Sequence, residues 1–285
     1  MRTKLIMVLF FFPVFGMYSQ NTPPTTPSEV VTLIKNNLTC SWTEKTVDTF
    51  KSGNPDADLT GIAVCMFADI ETLRKAVELG CNFIITHEPI FYNHSDDTSS
   101  FKNNQVFEEK INYIRQHKLV IFRFHDHIHR TSPDGIREGM IHKTGLAKYA
   151  IDNDYIHFQI PQTTLRNFVQ NMKLKLNISS VRFIGNPDMK FTKVALMPGA
   201  PGGSRHIEML AKDNVEVLLA GEAPEWETYL FAQDAVALGK NKAVIFLGHT
   251  KSEEAGMEYC AEWLKNLVPN TPIHFVANKP SYITF

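Results

Sequence analysis

The chain has 285 residues, 44% apolar and 21% charged, with a formal net charge of −1. That length is enough for one large domain or two modest ones with real cores. The charge balance excludes a basic field for nucleic acid, and the apolar content excludes disorder.

Residues 1–19 read as a signal peptide. Arg2 and Lys4 precede an apolar run from Leu5 to Phe15, and Ser19 offers a small residue for cleavage. Pro13 interrupts that run, which is shorter than the roughly 20 residues a spanning helix needs. Export to the periplasm or the medium, with no membrane association after cleavage, is therefore expected in preference to a membrane anchor. Residues 20–28 follow as an extended Pro/Thr linker. The remainder divides into a first α/β part, 29–150, and a second, 151–285, whose closing segment is expected to return to a site shared with the first.

In the first part, "GIAVCMF" is a short apolar strand. Ile70, Leu73 and Val77 then recur at helical spacing up to Gly80, and "CNFIITHEP" is a second apolar strand. Together they form a βαβ unit, which favours a parallel or mixed sheet flanked by helices. A helix with Phe107, Ile111 and Ile114 on one face leads into "KLVIFRFHDHIH", read as a hydrophobic strand ending in a polar cluster. In the second part "KVALMPGAPGGS" is a strand and a Gly-rich turn, and "HIEMLAK" is a helix. "VEVLLAGEAPE" is a strand, "WETYLFAQDAVALG" a helix and "AVIFLGH" the last strong strand. The two parts share a β/α grammar without a repeat that proves duplication. The turn "PGAPGGS" has the form of a backbone phosphate cradle, but a lone Gly-rich turn is weak evidence and a tight connection is the preferred reading. Cys40, Cys65, Cys81 and Cys260 have no C-x-x-C spacing, so buried free thiols are expected rather than a zinc knuckle or a disulfide framework.

In open α/β sheets the ligand crevice lies beyond the carboxyl ends of the strands. Four strands here run out into polar groups at that edge: His87 and Glu88, the cluster from His125 to His129, Glu222 and Glu225, and His249 with Glu253. Each alone has a structural explanation. A histidine at a strand end often serves a turn, and Glu253 would stabilise a helix N-terminus. Their joint placement points to metal chemistry, because imidazole and carboxylate are the ligands of zinc, manganese and iron, and a carboxylate can bridge two ions. His249 is read as preceding its helix, close enough to Glu253 for both to face one pocket. His87, Glu88, His129, His249 and Glu253 are the candidate ligands. They are too few to fill two coordination shells, so water or substrate would complete them, as in a catalytic site.

"GCNFIITHEPIFY" is similar to the motif "gaDliitHHPlif", and residues 220–266, from "AGEAPEW" to "EWLKN", resemble the closing "tGE…GHxxtE…G…l.eWL" segment of the NIF-three-like proteins, the GTP cyclohydrolase 1 type 2 homologues. The resemblance spans about residues 28–285. It implies two linked α/β domains with mixed sheets, two divalent metal ions per chain (zinc, manganese or iron) between them, and a ring-shaped homohexamer. His87 matches the first histidine of the double-histidine motif, His249 the histidine of the closing motif, and Glu253 its bridging glutamate. Two positions depart: Glu88 replaces the second histidine, and the register from His125 places His129 where the family has aspartate. The exchanges compensate, leaving two carboxylates and three imidazoles. With a shifted pairing, Asp126 would be the ligand and His129 its supporting partner.

The expected activity is metal-assisted hydrolysis of a small molecule, with Glu222, Glu225 or Asp126 moving the proton. Export argues against GTP, which is scarce outside the cytoplasm. The alternative is a non-catalytic metal-binding ring or scaffold.

Overall fold

The computed structural model describes residues 23–151 and 154–283, and the expected signal peptide lies outside them. Helix α1 (Pro27–Asn36) opens the described chain. It begins within the stretch expected to be linker, because Thr26 caps it: the Thr26 side chain accepts from the Glu29 backbone N–H while the Glu29 side chain reaches back to the Thr26 backbone.

The first sheet is built from β1 (Phe50–Ser52), β2 (Ile62–Cys65), β3 (Phe83–Thr86) and β4 (Val120–Arg123), with α2 (Ile70–Glu78) and α3 (Gln105–Gln116) as crossovers. Its order is β1-β4-β3-β2-β10, where β10 is Ile273–Phe275. The four strands from β4 to β10 run parallel, and β1 is antiparallel on the edge. The second sheet has the order β5-β7-β8-β9-β6. Here β7 (Lys190–Met197), β8 (Val217–Ala220) and β9 (Ala243–Phe246) are parallel, while β5 (His157–Thr164) and β6 (Arg182–Ile184) close the two edges antiparallel. Strands β2, β3, β4, β8 and β9 are buried at every position. This is why they read as unbroken apolar runs rather than alternating ones. Each fully buried Val, Ile or Phe in them contributes about 1.5–3 kcal/mol.

The chain does not divide at residue 150 into two consecutive halves. After β9 the long helix α9 (His249–Leu267) carries the backbone back, and β10 pairs with β2 in the register Ile273↔Ile62. The C-terminal segment therefore belongs to the first sheet. Helix α9 packs against α5 (Gly135–Thr144) so closely that a Cβ on Gly139 would lie 2.2 Å from the Ala255 carbonyl oxygen. Only a hydrogen at that position lets the two backbones touch.

The segment "HDHIH" also departs from the strand reading. The strand stops at Arg123, and α4 (Asp126–Arg130) is a short helix. The cause is Asp48, from the loop before β1. Its buried carboxylate accepts the backbone N–H of His125 at 2.6 Å, of Asp126 at 2.9 Å and of His127 at 2.8 Å. A carboxylate on the first N–H groups of a helix satisfies donors that have no intrahelical partner. All four cysteines are free thiols, three of them buried, and burial pushes the Cys65 thiol up to about 12. No helix among the described residues is long and apolar enough to cross a membrane.

Candidate metal centre

The parallel strands of both sheets deliver their carboxyl ends to one place. His87 and Glu88 follow β3, His125 and His129 lie on either end of α4 beyond β4, and His249 and Glu253 occupy the first turns of α9 beyond β9. His249 is itself the first residue of α9 rather than preceding it, so it and Glu253 are a true i, i+4 pair on one helical face.

Three of the four histidines share one arrangement. Each has its Nδ1 hydrogen-bonded to an acceptor: His87 to the Phe124 carbonyl at 3.1 Å, His125 to Asp126 at 3.0 Å and His129 to Asp134 at 3.1 Å, while His249 Nδ1 lies 3.3 Å from Glu222 without being aligned to donate to it. A carbonyl or carboxylate oxygen can only accept, so in these three Nδ1 carries the proton and Nε2 is left to face the interior. The Nε2 atoms converge on two carboxylates. Glu253 lies 3.6 Å from His87, 3.8 Å from His129 and 3.2 Å from His249, while Glu88 lies 3.1 Å from His249 and 3.7 Å from His125. The donor atoms of His87, His125 and His129 lie within 4.8 Å of one another, as do those of His87, Glu88 and Glu253. These two groups overlap at His87.

The charges show what such a centre requires. Burial and the neighbouring charges of His129 and His125 push the His87 pKa well below the ordinary imidazole value, so the ring stays neutral and its Nε2 keeps a lone pair. Burial opposes a charge on His249, but Glu253 and Glu88 outweigh it and raise its pKa to about 10. Burial likewise opposes a charge on His129, and Asp134 with Glu253 holds its pKa up. Protons thus collect where positive charge is wanted. Even so, His87 Nε2 and Glu253 Oε2 are buried without a hydrogen-bond partner; His249 Nε2, although 3.2 Å from that oxygen, is not aligned to donate to it. Each such group costs about 1–3 kcal/mol when left unsatisfied. Two buried acceptors facing each other, among imidazoles whose tautomers are set from behind, fit a metal ion. This buried His/Glu cluster is a candidate metal-binding site.

All five ligands expected from the sequence, His87, Glu88, His129, His249 and Glu253, are brought into this cluster. His125 was missed. Its signal was available, because His125 and His129 are four residues apart and a helix would place both on one face; the strand reading concealed it. The alternative of Asp126 as ligand or proton carrier is not what the geometry supports. Its carboxylate accepts from Thr46 Oγ1 at 2.8 Å and the Val47 N–H at 3.2 Å and supports His125 from behind. Burial would raise its pKa, but the hydrogen bonds from His125, Thr46 and Val47 prevail and hold it at about 2, too low to carry a proton near neutrality. Glu222 stands beside His249, largely exposed. Glu225 does not join the cluster: it sits in a π-helical turn (Glu225–Tyr229), exposed, 3.5 Å from Arg182. His127 faces away, stacked on Trp42 at 3.7 Å and bonded to Asp48 at 2.7 Å.

Two further residues shape the centre. Arg123 is fully buried; it donates from Nε to the His87 carbonyl at 3.2 Å and lies 3.6 Å from Glu88 Oε2, so it holds the loop after β3 and leaves Glu88 Oε1 for the histidines. The turn "PGAPGGS" does not present a vacant phosphate cradle. The Glu227 carboxylate lies against Gly203 at the N-terminus of α7 (Gly203–Ala211), and Gly199 leaves room for Glu253. A cavity of about 780 Å³ opens alongside Glu88, Glu222 and His249, with Phe67 and Lys110 in its other walls.

Residues 27–281 match the family Duf34/NIF3 (NGG1p interacting factor 3). The chain belongs to the Duf34/NIF3 family. Its relatives include proteins named "GTP cyclohydrolase 1 type 2 homolog" from Clostridium acetobutylicum, 24% identical over 236 residues with 78% of this chain and 84% of the relative covered, and from Chlamydia pneumoniae, 24% identical over 228 residues with 76% and 84% covered. Among solved structures, Staphylococcus aureus protein SA1388 superposes with a TM-score of 0.71 at 18% identity, covering 91% of this chain and 99% of that one. Reduced HcgD from Methanocaldococcus jannaschii superposes with a TM-score of 0.65 at 16% identity, covering 88% and 97%. The two mixed sheets flanked by helices are therefore the Duf34/NIF3 fold, and the candidate centre of this Duf34/NIF3 protein lies where its two sheets meet α9.

Proposed function

We propose that this Duf34/NIF3 protein is an exported, dinuclear-metal-dependent hydrolase of a small molecule, assembled as a homo-oligomer. One observation carries the reading: four histidines, three of them with Nδ1 hydrogen-bonded from behind, direct Nε2 toward two buried carboxylates, and two of these facing atoms have no partner of their own. Six donors with two negative charges suit two divalent ions and leave positions for water and substrate. Glu253 would serve both ions, since it turns Oε1 toward His129 and Oε2 toward His87 and His249, whereas His87, with one Nε2 lone pair, would hold only one.

When bound, zinc, manganese or iron supplies Lewis acidity and brings the pKa of water toward 7. The chain's own groups orient and move protons. Asp126 and Asp134 keep two imidazoles in one tautomer. Glu222, at the cavity mouth and largely exposed, takes the proton released during attack and returns it to the leaving group. The name borne by the relatives supports hydrolysis as the reaction class. The leader sequence argues for a substrate other than GTP, and the family resemblance supports a hexameric ring.

Elemental analysis of protein purified from its own compartment tests the reading. Two equivalents of metal per chain are expected, together with turnover in a panel of amides, amidines and phosphoesters that disappears with chelator and in Glu253→Gln. Protein without metal would overturn it. Two equivalents of metal with assembly that depends on them, but no turnover, would replace it with a scaffold ring.

A further inference from the structure

The cavity beside the centre contains an anomaly that the metal ligands do not explain. Lys110 projects from α3, is 7% exposed, and lines that cavity. Buried lysines are almost always paired with a carboxylate. Lys110 is not: among the described residues no carboxylate oxygen lies within 4.0 Å of its Nζ, which donates to the Ile90 carbonyl at 2.7 Å and stands 5.2 Å from the Tyr92 ring centroid. One carbonyl satisfies one of three ammonium donors. The other charged groups in the walls are already engaged. Lys279 is 2.6 Å from Glu71, the two Asp69 oxygens accept from the Thr72 N–H and from Asn278 Nδ2, Glu88 lies 3.6 Å from Arg123, and Glu222 lies 3.3 Å from His249.

We propose that this cavity binds a small molecule carrying a single carboxylate, that Lys110 is its anion contact, and that Phe67, Ile90 and Tyr92 pack against its apolar body. As a statement about substrate, the proposal rests on the hydrolase reading above. The charge count selects the class. The walls carry three carboxylates, Asp69, Glu88 and Glu222, against the ammonium groups of Lys110 and Lys279. A polyphosphate would thus meet three carboxylates and one unengaged cation, whereas a single carboxylate brings only the charge that one ammonium pairs. The aromatic and aliphatic groups in the same wall then favour an apolar or aromatic acid. Burial keeps the Lys110 pKa near 8, so the ammonium is present at neutral pH and is less firmly held by water than an exposed one.

The test uses the full chain, loaded with zinc and again after chelation, with benzoate as probe in calorimetric titrations. Benzamide is the neutral isostere and tripolyphosphate the polyanion. Benzoate is expected to bind the wild type, and Lys110→Met and Lys110→Gln, each shown to be folded by its thermal transition, to weaken it by at least about tenfold. Benzamide should bind the wild type at least about tenfold more weakly than benzoate and be indifferent to both substitutions. Unchanged benzoate affinity in the variants, no benzoate binding to the wild type, or tighter binding of tripolyphosphate would each overturn the proposal. Lys110-dependent benzoate binding that persists in chelated protein supports the anion site on its own. A failure of the metal reading is thereby distinguished from a failure of this one.

Discussion

Replacing Gly199 by alanine tests the centre without touching any proposed ligand. Gly199 lies in the turn after β7 with φ +68°, and a Cβ built there would stand 2.2 Å from Glu253 Oε1. Carbon and oxygen meet at about 3.3 Å, so the carboxylate must retreat by about 1 Å. Metal–ligand distances tolerate about ±0.2 Å, and the displacement is roughly five times larger. Supporting residues that merely orient a ligand cost about 10–100-fold in metal affinity when removed, so a loss of at least that size is expected in Gly199→Ala. The left-handed backbone adds about 1–2 kcal/mol of strain for a residue with a Cβ, equivalent to a Tm lower by a few degrees in a domain of this size. The two effects separate by assay. Metal content after dialysis against graded chelator reports the displaced carboxylate, and thermal unfolding of the chelated protein reports the strain alone. A Gly199→Ala protein that retains wild-type metal content at wild-type affinity would refute the assignment of Glu253 as a ligand.

Asp48→Ala removes a buried carboxylate that accepts three backbone N–H groups and the His127 ring. A loss of roughly 3 kcal/mol is expected, read as a lower midpoint in urea denaturation, together with weaker metal retention as α4 frays; a change under about 1 kcal/mol would show that α4 holds without this cap. Burial lowers the Lys110 pKa from its ordinary 10.5 to about 8. Between those values the unfolded chain binds more protons than the folded one, so wild-type stability rises with pH across that window. Lys110→Met should therefore be more stable than the wild type below about pH 8, by an amount on the order of 3 kcal/mol, and lose that advantage by about pH 10.5; a difference independent of pH in denaturant titrations would contradict the charged, buried lysine.

The elements of this protein were largely visible in its sequence. The runs "GIAVCMF", "FIIT", "VIF", "VLLA" and "AVIF" signal strands because strands covered on both faces must be apolar at every position. The helical spacing of Ile70, Leu73 and Val77 is equally local. The candidate ligand types were visible too, since imidazole and carboxylate at the ends of buried strands stand out against an apolar background. Tertiary structure decided the rest. No pattern near residue 125 announces that a carboxylate 77 positions earlier turns "HDHIH" into a helix and aims His125 inward. Nor does periodicity say that β10 crosses back to pair with β2, that Asp126 stands behind the His125 ring, or that Glu225 points toward Arg182. Periodicity records only whether a residue faces the core or the solvent, a property of neighbours along the chain. Which distant carboxylate caps which helix, and which acceptor stands behind which imidazole, is settled only when both sheets close and buried polar groups must find partners across the fold.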